Sequence, residues 1–296
     1  MHVHACGGDR ERERAWKRGY PKVHEAGDDA TWKHQRWTTE DFLAFLVCLG
    51  RVLSPLFSVF GVFNTLFKVD WLHAVDQGVG ADFLGNLFAM LLAKMTGSNR
   101  HERVDDLWKH MQKYYDANGI QDRMPVFDVN SIGGKKNSPP KLRSSAACCR
   151  ALIPFGREMA ERYLSDACPL ESAAKVAAKH LHLCYESLSN RNELFRQEVL
   201  QSSSTAFALQ YDACFRLAGD SIAWRVKPKM HLFLELCQQE TEPNLFWCYR
   251  DEDFGGTVAK SAKMKGMWKK LSSFSGHSLD MFAMKNDPPR LLLDIA

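Results

Sequence analysis

The chain has 296 residues, of which 45% are hydrophobic and 25% are charged, and its formal net charge is +4. This composition is typical of a folded globular protein and excludes a chain that is disordered throughout. The small positive charge permits contact with nucleic acid but does not by itself indicate it, so the local distribution of lysines has to decide.

Cysteine usage and hydropathy indicate the compartment. The nine cysteines are odd in number, and no pair has the C-x-x-C spacing of a zinc or redox motif. We therefore expect free thiols in a reducing, intracellular environment. The apolar stretch from residue 42 to 67 is interrupted by Arg51, Pro55 and Gly61, so we predict no membrane span and no membrane partner. The sequence does not decide whether the chain forms a homo-oligomer.

The first part of the chain contains three predicted segments. Residues 1–37 are charged and lack apolar periodicity, which predicts a poorly ordered lead-in. Thr38 has the character of a helix cap with acids in the turn after it, and the helix is expected to stop at Gly50. Residues 65–70 are rich in β-branched and aromatic side chains, which predicts a strand that ends at Asp70.

Helical spacing of apolar residues predicts most of the remaining elements. Gly78 and Gly80 are expected to break the chain before the first of these helices, and residues 230–236 fit a strand or a short helix. The predicted helices span residues 81–95, 101–117, 150–164, 169–188, 192–218 and 252–267. The predicted organisation is a lead-in (1–37), an N-terminal part of a core (38–127), a basic linker (128–146), a helical insertion (147–220), a C-terminal part of the core (221–275) and an irregular tail (276–296).

Two acidic motifs, far apart in the chain, are candidates for metal binding. Asp70 follows the predicted strand, and Glu252 begins a predicted helix. Two acids that the fold brings together are the minimum for metal-assisted phosphoryl transfer. His73 could orient Asp70 through a hydrogen bond. The alternatives are that Asp70 caps a helix, that His73 is a structural histidine and that Glu252 lies in a solvated acidic corner.

Lysines near the acidic motifs are candidates for contact with the phosphate backbone of nucleic acid. One group follows Glu252 and would line the last predicted helix, and a second pair flanks Pro228. The alternative is a solvated helix face. The candidate nucleic-acid-binding residues are Lys227, Lys229, Lys260, Lys263, Lys265, Lys269 and Lys270.

Three short blocks resemble motifs of eukaryotic cut-and-paste DDE transposases, most closely the CACTA-type group. Asp70-Trp71-Leu72-His73, followed by a long apolar helix, resembles the Asp-x-x-His segment of that group. The residues from Lys227 to His231 resemble its Lys-Pro-x-x-His stretch, and those from Phe246 to Glu252 resemble its last acidic block. The blocks occur in the order found in the family, and together they span about residues 60 to 265.

The resemblance implies a fold and an activity. It implies a ribonuclease-H-like core with an inserted helical block, so we expect an α+β, mainly helical fold with a partial sheet. It implies metal-dependent DNA strand cleavage and transfer with Mg²⁺ or Mn²⁺, in which Asp70 and Glu252 bind the metal and His73 supports the site. A functional protein of this kind would act in the nucleus.

One difference from the family bears on activity. No convincing counterpart of the first catalytic aspartate precedes the matched blocks, so we expect a chain truncated at its N-terminus and inactive in cleavage. The alternative is a non-enzymatic helical module that binds nucleic acid or protein. A third possibility is a helical scaffold whose acids are only caps.

Overall fold

A computed structural model describes residues 38–133, 138–189 and 195–249, together with residues 252, 253, 255, 256 and 259. The chain divides into two compact units, Met1–Trp247 and Cys248–Ala296. All the longer helices that the structure describes lie in the first unit. They are α1 (Thr39–Cys48), α2 (Ala81–Leu91), α3 (Arg100–Ala117), α4 (Ala146–Tyr163), α5 (Pro169–Ser189), α6 (Gln197–Leu217) and α7 (Pro228–Cys237), with a π-helix at Leu72–Gly80.

The expected α+β fold with a partial ribonuclease-H-like sheet is wrong. The described residues contain no strand, and their single β-bridge is an isolated antiparallel pair between Ile132 and Leu142. The segment predicted as a strand is a short 3-10 helix at Asn64–Leu66, followed by an irregular stretch that ends at Asp70. A strand needs a partner for its backbone, and here Phe67 packs instead against the ring of Phe57.

Helix α1 confirms the start predicted at Thr38. The Thr38 hydroxyl accepts a hydrogen bond from the Asp41 amide at 3.1 Å, and the Asp41 carboxylate accepts one from the Thr38 amide at 3.2 Å. This reciprocal pair satisfies two amides that a helix start leaves without partners. No residue of α1 is buried, so the helix depends on its cap more than on the core.

The π-helix and α2 form one continuous helical segment through the first unit, and the predicted break at Gly78 and Gly80 is wrong. Both glycines lie inside the segment, where they allow neighbouring side chains to approach closely. A Cβ atom on Gly78 would lie 2.5 Å from the Cδ atom of Lys229, and one on Gly80 would lie 3.3 Å from the Tyr185 hydroxyl oxygen. The glycines therefore serve packing and not a turn.

The core surrounds this central segment. Helix α4 packs against the π-helix, α2 and α5, while α7 packs against the π-helix and α6. Trp71, just before the π-helix, is fully buried and meets the rings of Tyr185 and Phe233 edge-on, with centroids 5.4 Å and 6.0 Å apart. Aromatic pairs of this geometry add to the burial of apolar area. The burial of Trp71 fixes the position of Asp70 beside it.

The other helices follow the sequence pattern closely. Helices α3 and α5 agree with their predictions to within one residue, whereas α6 begins at Gln197, five residues later than predicted. Helix α7 shows that the segment after Pro228 is a helix and not a strand. Pro228 occupies the first turn, where its missing N–H leaves no hydrogen bond unmade. None of the described helices combines the length and apolar character needed to cross a lipid bilayer.

Candidate functional site

Asp70 is the N-terminal cap of the central helical segment. Its Oδ2 atom accepts a hydrogen bond from the His73 amide at 2.9 Å and lies 2.6 Å from the His73 Nδ1 atom. The Asp70 carbonyl also accepts from the Ala74 amide at 3.0 Å, which begins the helix. The cap alternative from the sequence is therefore confirmed, and His73 does orient the Asp70 carboxylate as predicted. The two side chains are 20% and 50% exposed, so solvent reaches the pair.

Three lysines from distant parts of the chain converge on the same helical segment. The Lys229 ammonium donates to the His73 carbonyl at 2.6 Å, and the Lys141 ammonium donates to the Gln77 carbonyl at 2.7 Å. Lys227 forms an ion pair with the buried Asp82 carboxylate at 2.6 Å. We call Lys141, Lys227 and Lys229 the lysine group.

The lysine group carries more positive charge than its acidic partner neutralises. Burial lowers the pKa of Lys229, and the charges of Lys141 and Lys227 lower it further, while Asp82 acts in the opposite direction. A carbonyl accepts a hydrogen bond but carries no net charge, so the bonds that Lys141 and Lys229 donate to carbonyls place no opposite charge beside them. The surface beside the Asp70–His73 pair is therefore electropositive.

A buried acid lies within the π-helix. Asp76 is fully buried, and its Oδ1 atom accepts a hydrogen bond from the Tyr185 hydroxyl at 2.5 Å. Burial raises the pKa of Asp76 to about 7, although the hydrogen bond from Tyr185 and the charge of Arg150 act against the rise. The Arg150 guanidinium lies over the ring of Trp247, 4.5 Å from its centroid. The sequence alone does not predict whether the Asp76 side chain points into the core or towards solvent.

The structure describes only some of the other candidate residues. Glu252 is exposed and helical, and it belongs to the second unit, whereas Asp70 and His73 belong to the first. The metal-ligand prediction for Glu252 stays a prediction. The lysines predicted on the last helix lie outside the described residues. They are Lys260, Lys263, Lys265, Lys269 and Lys270.

Sequence reasoning missed Lys141 and the two buried acids, Asp76 and Asp82. Lys141 is 64 residues from the carbonyl to which it donates, and it lies in a basic loop with no periodic pattern. Nothing local could have placed it. A signal did exist for Asp82, since a charged side chain on the otherwise apolar face of α2 requires a partner when buried. Lys227 supplies that partner.

Comparison with known proteins adds no relative. No protein-family model matches this chain, and neither a curated protein nor a solved structure is significantly similar to it. The resemblance to transposases therefore depends on the three short sequence blocks.

Proposed function

We propose that this chain is a transposase-derived protein that contacts the phosphate backbone of DNA through a divalent cation held at Asp70. The observation that carries the proposal is the fixed, partly exposed Asp70 carboxylate beside the lysine group. His73 holds this carboxylate in one orientation through two hydrogen bonds, and Lys229 donates to the carbonyl of the same histidine.

The chemistry of Asp70 fits Mg²⁺ or Mn²⁺. Mg²⁺ prefers oxygen ligands and is usually bound by one or two carboxylates together with waters and the phosphates of a substrate. A carboxylate has about four acceptor positions, so the two bonds from His73 are compatible with cation binding. A bound cation would supply positive charge to a phosphate oxygen, and the lysine group would add to that charge from the protein side.

Strand cleavage, the activity of the family that the chain resembles, requires further acids besides Asp70. Glu252 is the candidate for one of them. The proposal for this chain is therefore metal-assisted DNA binding at Asp70, and cleavage is tested in a separate plasmid-nicking assay.

The test measures the affinity of the full chain for a labelled DNA duplex by fluorescence anisotropy, in Mg²⁺ and in EDTA. We expect Mg²⁺ to raise the affinity of the wild type and to leave that of Asp70→Asn unchanged. Asparagine caps a helix as well as aspartate does, so the variant keeps the helix start. Asp116→Asn is the matched control, because Asp116 is an exposed acid on α3 that pairs with Arg123.

The other outcomes separate the alternatives. Equal Mg²⁺ responses in the wild type and Asp70→Asn would contradict the proposed cation site. DNA binding that depends on neither Mg²⁺ nor Asp70 would favour a non-enzymatic nucleic-acid-binding module. Nicking of supercoiled plasmid by the wild type, abolished in Asp70→Asn, would show that Asp70 also takes part in cleavage.

A further inference from the structure

The acceptors of the lysine group follow one another along the central helical segment. His73 and Gln77 are four residues apart, which is about one turn of the π-helix, and Asp82 lies five residues further on, in α2. The three ammonium groups therefore follow one another along the helix. They come from two different segments, because Lys141 lies in the loop before α4 whereas Lys227 and Lys229 lie at the start of α7.

Tight packing fixes two of these lysines. The Lys229 side chain crosses Gly78, where a Cβ atom would lie 2.5 Å from its Cδ atom. The Lys141 backbone crosses Gly85, where a Cβ atom would lie 2.3 Å from the Lys141 Cα atom. The next amide, that of Leu142, donates to the Ala81 carbonyl at 2.8 Å. The Lys229 stem therefore lies against the helix at Gly78, and the Lys141 backbone lies against it at Gly85.

The fixed positions hold like charges near one another. Lys227 forms an ion pair with Asp82, which neutralises its charge. Lys141 and Lys229 instead donate to uncharged carbonyls. An ammonium group has three N–H donors, so a bond to one carbonyl uses only part of its capacity. Placing such groups together costs electrostatic energy that an anion between them would recover.

We propose that Lys141 and Lys229 form a binding site for a phosphate group of the DNA backbone, flanked by the Lys227–Asp82 pair. The inference rests on the proposed function, because it names the residues that hold DNA beside Asp70. It includes Lys141, which no sequence motif indicates. The geometry favours backbone contact over base reading, because lysines in a row along one helix match the repeated charges of a strand.

The test measures how DNA affinity depends on salt, with all solutions in EDTA so that the result is independent of any cation at Asp70. Each phosphate contact contributes about 0.9 to the slope of log K against log salt for duplex DNA. Because the two lysines share one phosphate in the proposed site, we expect the slope of the Lys141→Gln/Lys229→Gln variant to be smaller in magnitude than that of the wild type by about 0.9. The matched control is Lys109→Gln/Lys113→Gln, which removes two exposed charges from α3 and should leave the slope unchanged.

A second variant separates charge from structure. Lys141→Arg/Lys229→Arg keeps both charges, and we expect it to retain the wild-type slope. If the arginine and glutamine variants lose the same slope, or if the control loses as much, the proposed site is wrong. Thermal unfolding by circular dichroism checks that each variant is folded.

Inorganic phosphate distinguishes the backbone from a free anion. We expect inorganic phosphate to weaken DNA binding no more than a non-binding salt of equal ionic strength does. Tight binding of inorganic phosphate, measured by calorimetry and lost in the glutamine variant, together with an unchanged DNA slope, would overturn the DNA assignment. Loss of the Mg²⁺ response in Asp70→Asn with no effect of the lysines would reject this site and leave the proposed function standing.

Discussion

The buried Asp76 carboxylate makes the stability of the protein depend on pH in a predictable direction. Its pKa in the folded protein is about 7, compared with an ordinary value of 3.8. Below about pH 4 the group is protonated in both the folded and the unfolded chain, so the stability associated with it is fully present. As the pH rises towards 7, the unfolded chain ionises first, and the folded state loses stability relative to it.

The difference between the two pKa values corresponds to about 4 kcal/mol, at ~1.4 kcal/mol for each tenfold change in proton affinity. Asp76→Asn removes the titration and keeps an oxygen that can accept the Tyr185 hydroxyl. We therefore expect the variant to gain stability over the wild type by up to about 4 kcal/mol as the pH rises from 4 to 8. Arg150 and Asp70 are the other charged groups that act on Asp76, and both variants keep them.

Urea unfolding at several pH values, in EDTA, measures this difference directly. Groups that titrate equally in the wild type and the variant cancel, so the change of their stability difference with pH reports Asp76 alone. Asp116→Asn is the control, and it should change the stability less than Asp76→Asn does, because solvent screens the exposed Asp116–Arg123 pair. A stability difference for Asp76→Asn that stays constant from pH 4 to pH 8 would refute the assignment of a proton-binding carboxyl to this position.

Three further substitutions test the packing around the central helical segment. Gly85→Ala should cost about 3 kcal/mol or more in urea unfolding, because its Cβ atom would meet the backbone of Lys141, which cannot rotate away. Gly78→Ala should cost less than about 1 kcal/mol, since the flexible stem of Lys229 can move, but it should weaken DNA binding. Asn86→Ala should cost about 2 kcal/mol, because the buried backbone N–H of Trp224 loses its acceptor. Equal losses of stability in Gly85→Ala and Gly78→Ala would contradict this account of the packing.

Features determined by a few neighbouring residues were predictable from the sequence. The capping box at Thr38 involves residues three positions apart, and the helices from α3 to α6 have regular apolar spacing. The hydrogen bond between Asp70 and His73 is also local, so the spacing of the two residues was enough to suggest it. The metal prediction differs in kind, because it requires acids that only the tertiary structure can bring together.

Features determined by distant partners were not predictable. β-Branched and aromatic residues predicted a strand at 65–70, but strand propensity reflects packing against neighbours, and the described residues offer no sheet. Gly78 and Gly80 suggested a break because glycine usually favours turns. Here each glycine makes room for a side chain that arrives from more than a hundred residues later. No single-sequence pattern contains that information.

The residues on the central helical segment differ in what they do for stability, and this difference bears on function. The Asp70 cap satisfies an amide at the helix start, and Lys227 compensates the buried charge of Asp82. Asp76 and the gathered lysines do the opposite, because burying a carboxylate and placing like charges together both cost free energy. Uncharged side chains of similar shape would avoid these costs. Structural networks can also perturb pKa values, but costly charge gathered on one helical segment, next to a fixed Asp–His pair, is the arrangement expected where a protein binds a charged ligand.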